Sequence, residues 1–552
     1  MGFLKKHHLV LFFAAWTVLN LLQSFYTVLL NDEAYYWVYS RFLAWGYFDH
    51  PPMIALLIKA GYSLIHNELG VRLFIVLLNT LTLVIIYNLL PRKNDKLFYS
   101  IAGSIALLQL GGFIAVPDIP LVFFVALFFL CYKKFIEYRG WKDAILLGVV
   151  MALMLYSKYH GVLVIVFTLA SNIALVKNKK AWTAVLIALI LFVPHLYWQY
   201  QHQFPSVQYH LFERSSGRFD PIHPLEFIGS QLLLAGPLVG WLFLWCSIKY
   251  RTKNLFEKAL QYSMTGIYLF FLVSSFRGEG EGNWTVAALV PLIILNHQYM
   301  YGKPKLQRLL LTTLPVTLLL VLAARIYLVS PVKPIKSLNT NEFEQNSAWA
   351  QKIKEASGGL PVVFISSYQK AAKYWFYGGI PAFSLNTPFY RRNNYNFWPL
   401  EQSIQQKKVY AMYRYDPAVF PDSIQTTAGI LRGKIIDKFF SFSGLLLNIT
   451  SPLQFDANHK ISGKIKIMNT PTVFLQNDSV PQIVLQLFKN DGEVGSYDLR
   501  VMRNLTNQSI LDAVTINEVV LPPGSYEAKL GIETCIPGYY SLNSTTIKIS
   551  IP

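Results

Sequence analysis

From Met1 to about Ser330, long apolar runs alternate with short polar connections. Beyond that point the chain reads as ordinary mixed, water-compatible sequence. Apolar runs that can cross a hydrocarbon layer of about 30 Å, or nearly so, lie at roughly 9–30, 70–90, 97–116, 119–132, 143–157, 161–176, 181–198, 225–248, 259–275, 284–300 and 309–329. This pattern predicts about eleven membrane spans. The weakest pair is 143–157 with 161–176, since fifteen helical residues rise only about 22 Å. Two short spans and a re-entrant hairpin both fit it, and both leave the downstream parity unchanged. The first run is followed by Asn31-Asp32-Glu33 rather than by small residues suited to cleavage, so it reads as a retained crossing.

Composition sharpens this picture. Of 552 residues, 53% are hydrophobic and 14% charged, which excludes a purely soluble protein. The net charge of +19 could point to nucleic acid if it formed one basic face. It does not. Taken in alternate connections, one set holds 19 Lys and Arg residues, from Lys5 and Lys6 through Lys303, Lys305 and Arg308. The other holds only 6: Arg41, Lys59, Lys158, Arg214, Arg218 and Arg277. The positive-inside rule puts the first set in the cytoplasm, so most of the charge reports orientation rather than an anionic partner. An odd number of spans then sends the chain from Pro331 onward to the outer, periplasmic side. The three cysteines, Cys131, Cys246 and Cys535, are too few and too scattered for a disulfide framework.

On this topology the polar residues that interrupt apolar sequence gather at one face: Asp32, Glu33, Asp49, His50, Asp118, Lys158, His160, His210, His223, Glu279 and Glu281. Ionisable groups near hydrocarbon are costly and tend to face a cavity or a partner, and one shared outer-face cavity accounts for all of them. Each also has a plainer reading. Asp118, between Pro117 and Pro120, could cap a helix; Lys158 could snorkel; a single histidine such as His210 is more often satisfied locally than a ligand; Glu279 and Glu281 could be solvated in a glycine-rich loop. The segment 31–69 predicts an interfacial helix, with Tyr36, Tyr39 and Trp45 suited to the lipid boundary. An aromatic belt does not explain why Asp32, Glu33 and Asp49 accompany them.

Several motifs, in this order and on this topology, carry a family resemblance. They are Asp32-Glu33-Ala34-Tyr35-Tyr36, Tyr47-Phe48-Asp49-His50-Pro51-Pro52, Val71-Arg72-Leu73, Pro117-Asp118-Ile119-Pro120, Ser157-Lys158-Tyr159-His160-Gly161 and Asn283-Trp284, followed by Ser367-Tyr368-Gln369 and Arg391 through Pro399. Over residues 5–400 the chain resembles the polyprenyl-phosphate-dependent membrane glycosyltransferases of GT-C type, the group holding protein O-mannosyltransferases and lipid A aminoarabinose transferases. One departure is Thr285, where the family usually has Pro after the Trp; the sequence after about Phe440 matches nothing nameable.

The resemblance implies transfer of a sugar from a polyprenyl-phosphate carrier to an acceptor hydroxyl on a glycan, a lipid such as lipid A, or a protein. It places Asp32 as general base, with Glu33 as its neighbour and Asp118 sharing the acceptor site or positioning the base. Arg72, Lys158 and His50 are the cations it offers to the departing phosphate, a guanidinium holding two oxygens and an ammonium acting as a point charge. In aminoarabinose-transferase relatives a carboxylate at the position of Asp49 and a downstream histidine form a metal site. Asp49 with His210 or His223 is the corresponding set here, so a divalent metal is allowed without being required. A transporter or flippase of lipid-linked glycan is the alternative, but it predicts internal repeats or helices broken at the midplane.

The expected fold class is thus an α-helical polytopic membrane protein of GT-C type with a C-terminal periplasmic α/β plus β-sandwich region. Its expected divisions are 1–330, 331–438 and 439–552. Residues 361–366 read as a buried strand and 369–377 as a helix stopped by Gly378-Gly379, giving a small α/β unit placed over the active site. Alternating runs at 459–467, 482–488, 526–532 and 545–551 read as strands. Sequons at Asn448, Asn477, Asn504, Asn507 and Asn543 carry little weight in a bacterial chain.

Overall fold

The computed structural model describes residues 2–213, 220–278, 280–330, 341–449, 454–455, 461–468, 482–489, 492–503, 510–514 and 521–551. Arg214, Arg218, Glu279, Asn477, Asn504 and Asn507 lie outside them. The chain forms two compact units, Met1–Leu338 and Asn339–Pro552.

The first unit is helical: α1 (Gly2–Tyr26), α2 (Asn31–Arg41), α3 (Met53–Leu64), α4 (Glu68–Leu89), α5 (Asp95–Ser104), α6 (Ala106–Gly111), α7 (Asp118–Tyr138), α8 (Trp141–Ser157), α9 (Gly161–Ser171), α10 (Lys179–Gln201), α11 (Pro205–Gln208), α12 (Ile222–Ala235), α13 (Gly240–Lys249), α14 (Leu255–Ser275), α15 (Leu289–Met300) and α16 (Pro304–Val329). Asparagine side chains open several of them: Asn67 accepts from the Gly70 N–H, Asn94 from Leu97 and Asn254 from Glu257.

This is a multi-pass membrane protein, but the apolar runs do not all become straight spans. Among the described residues five helices are long and apolar enough to cross, in α1, α4, α7, α10 and α16, and a sixth span exists if α12 and α13, bent by 92°, count as one. The run 97–116 divides at Ile105 into α5 and α6, 161–176 ends as α9 plus a 3-10 turn over Ile173–Lys177, and 284–300 begins as a 3-10 segment over Gly282–Ala288. A hydropathy window counts apolar residues whether they face lipid or protein. Short and broken segments are tolerated because neighbouring helices surround them, as they do α15, which is buried along nearly its whole length. Lipid-facing surface belongs instead to helices such as α10, which exposes Leu186, Leu189, Ile190 and Val193, and α16, which exposes Leu319, Leu322 and Ile326.

Segment 31–69 holds two helices, α2 and α3. Trp45 is exposed as an interfacial residue should be, but Tyr36 and Tyr39 are buried. Tyr39 stacks on Tyr47 with ring centroids 4.0 Å apart and donates its hydroxyl to Asp49, so its polar tip is satisfied inside the protein rather than by headgroups. Close packing sets the α3–α4 turn: a Cβ on Gly70 would lie 1.7 Å from the Ile65 carbonyl oxygen, so only glycine lets α4 begin there and carry Arg72 inward.

In the second unit, β1 (Val362–Ile365), β2 (Ala382–Leu385), β3 (Val409–Met412), β4 (Asp422–Thr426) and β5 (Gly429–Ile436) form a sheet of order β2-β1-β3-β5-β4, parallel across β2-β1-β3 and antiparallel beyond. The helix Tyr368–Gly378 follows β1 and ends at Gly379, whose φ of 72° needs no Cβ. Among the described residues from Leu446 to Ile551, nine strands form one sheet. Its far ends share one core, with Leu447 and Ile465 packed among Leu485, Leu530 and Ile549. Asn543 joins those ends: its carbonyl accepts from the Leu447 N–H, and its side-chain amide donates to the carbonyls of Phe442 and Leu445. That internal use of the Asn543 amide makes its sequon a structural feature.

Candidate active site

The site begins where α1 gives way to α2. Asp32 and Glu33 are adjacent in the first turn of α2, yet they meet opposite environments. Asp32 is exposed and Glu33 is fully buried. A helix N-terminus favours negative charge at both positions, since its free amides point toward them. Glu33 is then held from three directions. Arg72 Nε and Nη2 donate to Oε1 and Oε2 at 2.7 and 2.5 Å, the Ala115 N–H donates to Oε1 at 2.7 Å, and the Leu30 N–H donates to Oε2 at 2.9 Å. One buried carboxylate thereby ties α2 to α4 and to the loop leading into α7.

This geometry removes Arg72 from the set of phosphate ligands. Its remaining N–H groups donate to the carbonyls of Ser24, Thr27 and Val28, and the side chain is fully buried. All five guanidinium donors are engaged, so no edge is left for a phosphate. Glu33, for its part, is an internal counter-ion rather than a group that meets substrate. A buried pair of this kind survives because every hydrogen-bonding position is satisfied; leaving one partner alone would cost about 3–5 kcal/mol.

The second carboxylate opens α7. Asp118 accepts from Lys158 Nζ at 2.7 Å on Oδ1 and from Asn283 Nδ2 at 3.1 Å on Oδ2. Asp118 and Lys158 are 5% and 6% exposed, so helix capping and snorkelling are both set aside in favour of a buried ion pair. Lys158 ends α8, and its neighbour Tyr159 continues the cluster. The Tyr159 hydroxyl lies 2.9 Å from His195 Nε2 and donates to Ser206 Oγ at 3.0 Å, while Gln199 donates to both hydroxyls. His195 Nδ1 lies 2.7 Å from the Trp45 carbonyl, and Ser206 Oγ lies within 3.0 Å of the carbonyls of Tyr47 and Phe48. The loop carrying Asp49 and His50 is thus pinned to α10 and α11.

Asp49 is buried and accepts from Tyr39; its backbone carbonyl is 2.9 Å from His210 Nε2. The rings of His50 and His210 are 6.4 Å apart, and that of Tyr159 is 6.1 Å from His210. The structure therefore links Glu33, Asp118, Lys158, Asp49, His50 and His210 through a continuous set of contacts, with Asp32 one residue from Glu33. Of the two histidines His210 and His223, His210 is the one that meets Asp49. His210 uses Nε2 on a carbonyl, His223 lies in the first turn of α12, and among the described residues no three His, Cys, Asp or Glu side chains are grouped to hold a metal ion.

Asn283, His195, Gln199 and Ser206 are the residues that sequence patterning passes over. Asn283 stood in a motif without a role. The others look like isolated polar residues in or beside apolar runs, and only the fold shows which loop each one holds.

Residues 49–198 match the family model described as dolichyl-phosphate-mannose-protein mannosyltransferase. The lipid A galacturonosyltransferase RgtD of Rhizobium johnstonii is 27% identical over 338 residues, which are 58% of this chain and 70% of RgtD. The chain is a membrane glycosyltransferase, similar in sequence to these proteins. The matched family segment carries Asp49, His50, Arg72, Asp118, Lys158 and His195 of this glycosyltransferase. Its fold is similar to that of ArnT from Cupriavidus metallidurans. The structure of ArnT bound to undecaprenyl phosphate gives a TM-score of 0.57 at 14% identity, covering 77% of this chain and 98% of ArnT. Apo ArnT gives 0.56 at 14% identity, covering 78% and 98%.

Proposed function

We propose that this glycosyltransferase moves a sugar from a polyprenyl-phosphate donor to a hydroxyl of lipid A at the outer face of the inner membrane. The single observation that carries the chemistry is the division of labour between adjacent carboxylates. Glu33 is locked to Arg72, which leaves Asp32 exposed at the same helix end. The relative RgtD supports the acceptor, and the ArnT fold, solved with undecaprenyl phosphate, supports the donor class.

In the proposed reaction the acceptor oxygen attacks the anomeric carbon, its proton passes to Asp32, and the bond from that carbon to the phosphate oxygen breaks. The polyprenyl phosphate leaves as a monoester with one more negative charge than the diester. His50 and Lys158 are the cations proposed to meet that charge, Lys158 being held in place by Asp118 while its ammonium keeps further donors. Attack opposite the leaving phosphate inverts the anomeric centre. A donor with a tail of tens of carbons stays in the bilayer, at about 0.8 kcal/mol per buried CH₂, so a membrane-embedded site is where it can be met.

Two measurements check the placement and the acceptor. A periplasm-specific reporter fused after residue 340 is expected to be active and a cytoplasm-specific one inactive; the reverse would overturn the orientation. Mass spectrometry of lipid A from a deletion strain is expected to show loss of one sugar residue, restored by the wild-type gene. Unchanged lipid A beside an altered glycoprotein would move the acceptor to protein.

A further inference from the structure

Arg325 is a second buried arginine, 4% exposed, inside the membrane-spanning helix α16. Unlike Arg72, it forms no ion pair with a carboxylate among the described residues. A charge kept at such a position without a counter-ion is costly and calls for a role. One of its contacts is to α1, and the other two fall on a single segment, the end of α6 and the turn after it. Arg325 Nη2 donates to Asn20 Oδ1 at 2.7 Å and to the carbonyl of Gln109, near the end of α6. Its guanidinium carbon is 5.6 Å from the ring centroid of Phe113, and that of Arg72 is also 5.6 Å from the same centroid.

Phe113 belongs to the turn that joins α6 to α7. Within this turn Ala115 donates to Glu33, and three residues later Asp118 meets Lys158. The turn is tightly seated, since a Cβ on Gly112 would lie 1.7 Å from Asn79 Nδ2. Arg325 therefore grips the start of the one segment that connects the two carboxylate centres, and it shares the Phe113 ring with the arginine that holds Glu33.

We propose that Arg325 is a positioning residue: through Gln109 and Phe113 it fixes the turn that sets Asp118 and Lys158 relative to the α2 carboxylates. The role rests on the assignment of Asp32 and Asp118 to the reaction. It makes α16 a part of the active-site scaffold rather than a passive last span.

The test uses the purified full chain with undecaprenyl-phosphate-linked galacturonic acid as donor, lipid A as acceptor, and undecaprenyl phosphate as binding probe. Arg325→Met is expected to lower kcat about 100-fold, the scale of a small misplacement of reacting groups, with donor KM and undecaprenyl phosphate affinity within about threefold. Arg325→Lys, which keeps a donor for the Gln109 carbonyl, recovers about tenfold of that loss. Because both act through one turn, Arg325→Met with Phe113→Leu is no slower than the slower single variant, whereas independent losses would multiply. A kcat within about twofold of wild type for Arg325→Met, or multiplicative losses in the double variant, overturns the proposal. Should Arg325→Met fail to fold, Phe113→Leu alone decides: reduced kcat at unchanged affinity supports the role, and unchanged kcat removes it. Asp32→Asn in the same assay separates the two ideas. Full activity there removes the base assignment, whereas an inactive Asp32→Asn beside a fully active Arg325→Met removes only the Arg325 role.

Discussion

Asp32→Asn is expected to abolish sugar transfer, with a fall in rate of about 100- to 10,000-fold, while the protein is made, inserted and folded as usual. The amide keeps the shape of the carboxylate and loses its capacity to take a proton. Stability should be spared because Asp32 is exposed and the Glu33–Arg72 pair next to it is untouched. Donor binding should also survive, so undecaprenyl phosphate affinity stays within about threefold while kcat collapses, the pattern of a group needed only in the transition state. Transfer near the wild-type rate would show that another group accepts the proton. Of the other carboxylates in the cluster, Glu33 is spent on Arg72 and Asp118 on Lys158 and Asn283, so Asp49, which accepts from Tyr39, would be the next candidate.

The Lys158–Asp118 pair gives the second large effect, and here stability and activity are expected to separate. Lys158→Met leaves the Asp118 carboxylate buried with only Asn283 to answer it, and Asp118→Asn leaves a buried ammonium. Each should destabilise the protein by about 3–5 kcal/mol and abolish transfer. Replacing both, as Lys158→Met with Asp118→Leu, removes the stranded charge, and stability should return to within about 1–2 kcal/mol of wild type. Activity should not return, because the cation proposed for the leaving phosphate is gone. Thermal unfolding and transfer rate, measured on all three variants, check this. Recovery of both in the double variant would reduce the pair to a structural brace.

How much of this was legible in the sequence depends on which physical signal carried it. The membrane character and the clustering of charged residues at one end of the helices came from hydropathy and the Lys and Arg distribution. The strands at 362–365 and 547–551 came from apolar runs and alternation bounded by turn residues. What hydropathy could not resolve was the path of the chain within the bundle. Ile105 and Gly236 break apolar runs whose composition is uniform, because the neighbours that make a break tolerable are distant in sequence.

The site shows the same division. Asp32, Asp49, Asp118 and Lys158 stood out because a charge beside hydrocarbon is anomalous on its face. Their partners did not. Arg72 matches a phosphate ligand by residue type and motif, and only the geometry shows all its donors taken by Glu33 and three carbonyls. Tyr36 and Tyr39 fit an interfacial belt by composition, yet Asp49 and the stacked Tyr47 hold Tyr39 inside. Which residue pairs with which is a tertiary fact, and it decides here between catalytic group, counter-ion and scaffold.

Transfer of sugar by the purified protein in detergent, with a polyprenyl-phosphate sugar as donor and lipid A as acceptor, separates a transferase from a transporter. Detergent abolishes the two compartments that a flippase or transporter needs, while a transferase keeps its substrates. The wild-type chain is expected to give glycosylated lipid A and released polyprenyl phosphate in equal amounts, and Asp32→Asn neither. Absence of product from wild-type protein that still binds undecaprenyl phosphate, or product formed equally by Asp32→Asn, would contradict that expectation.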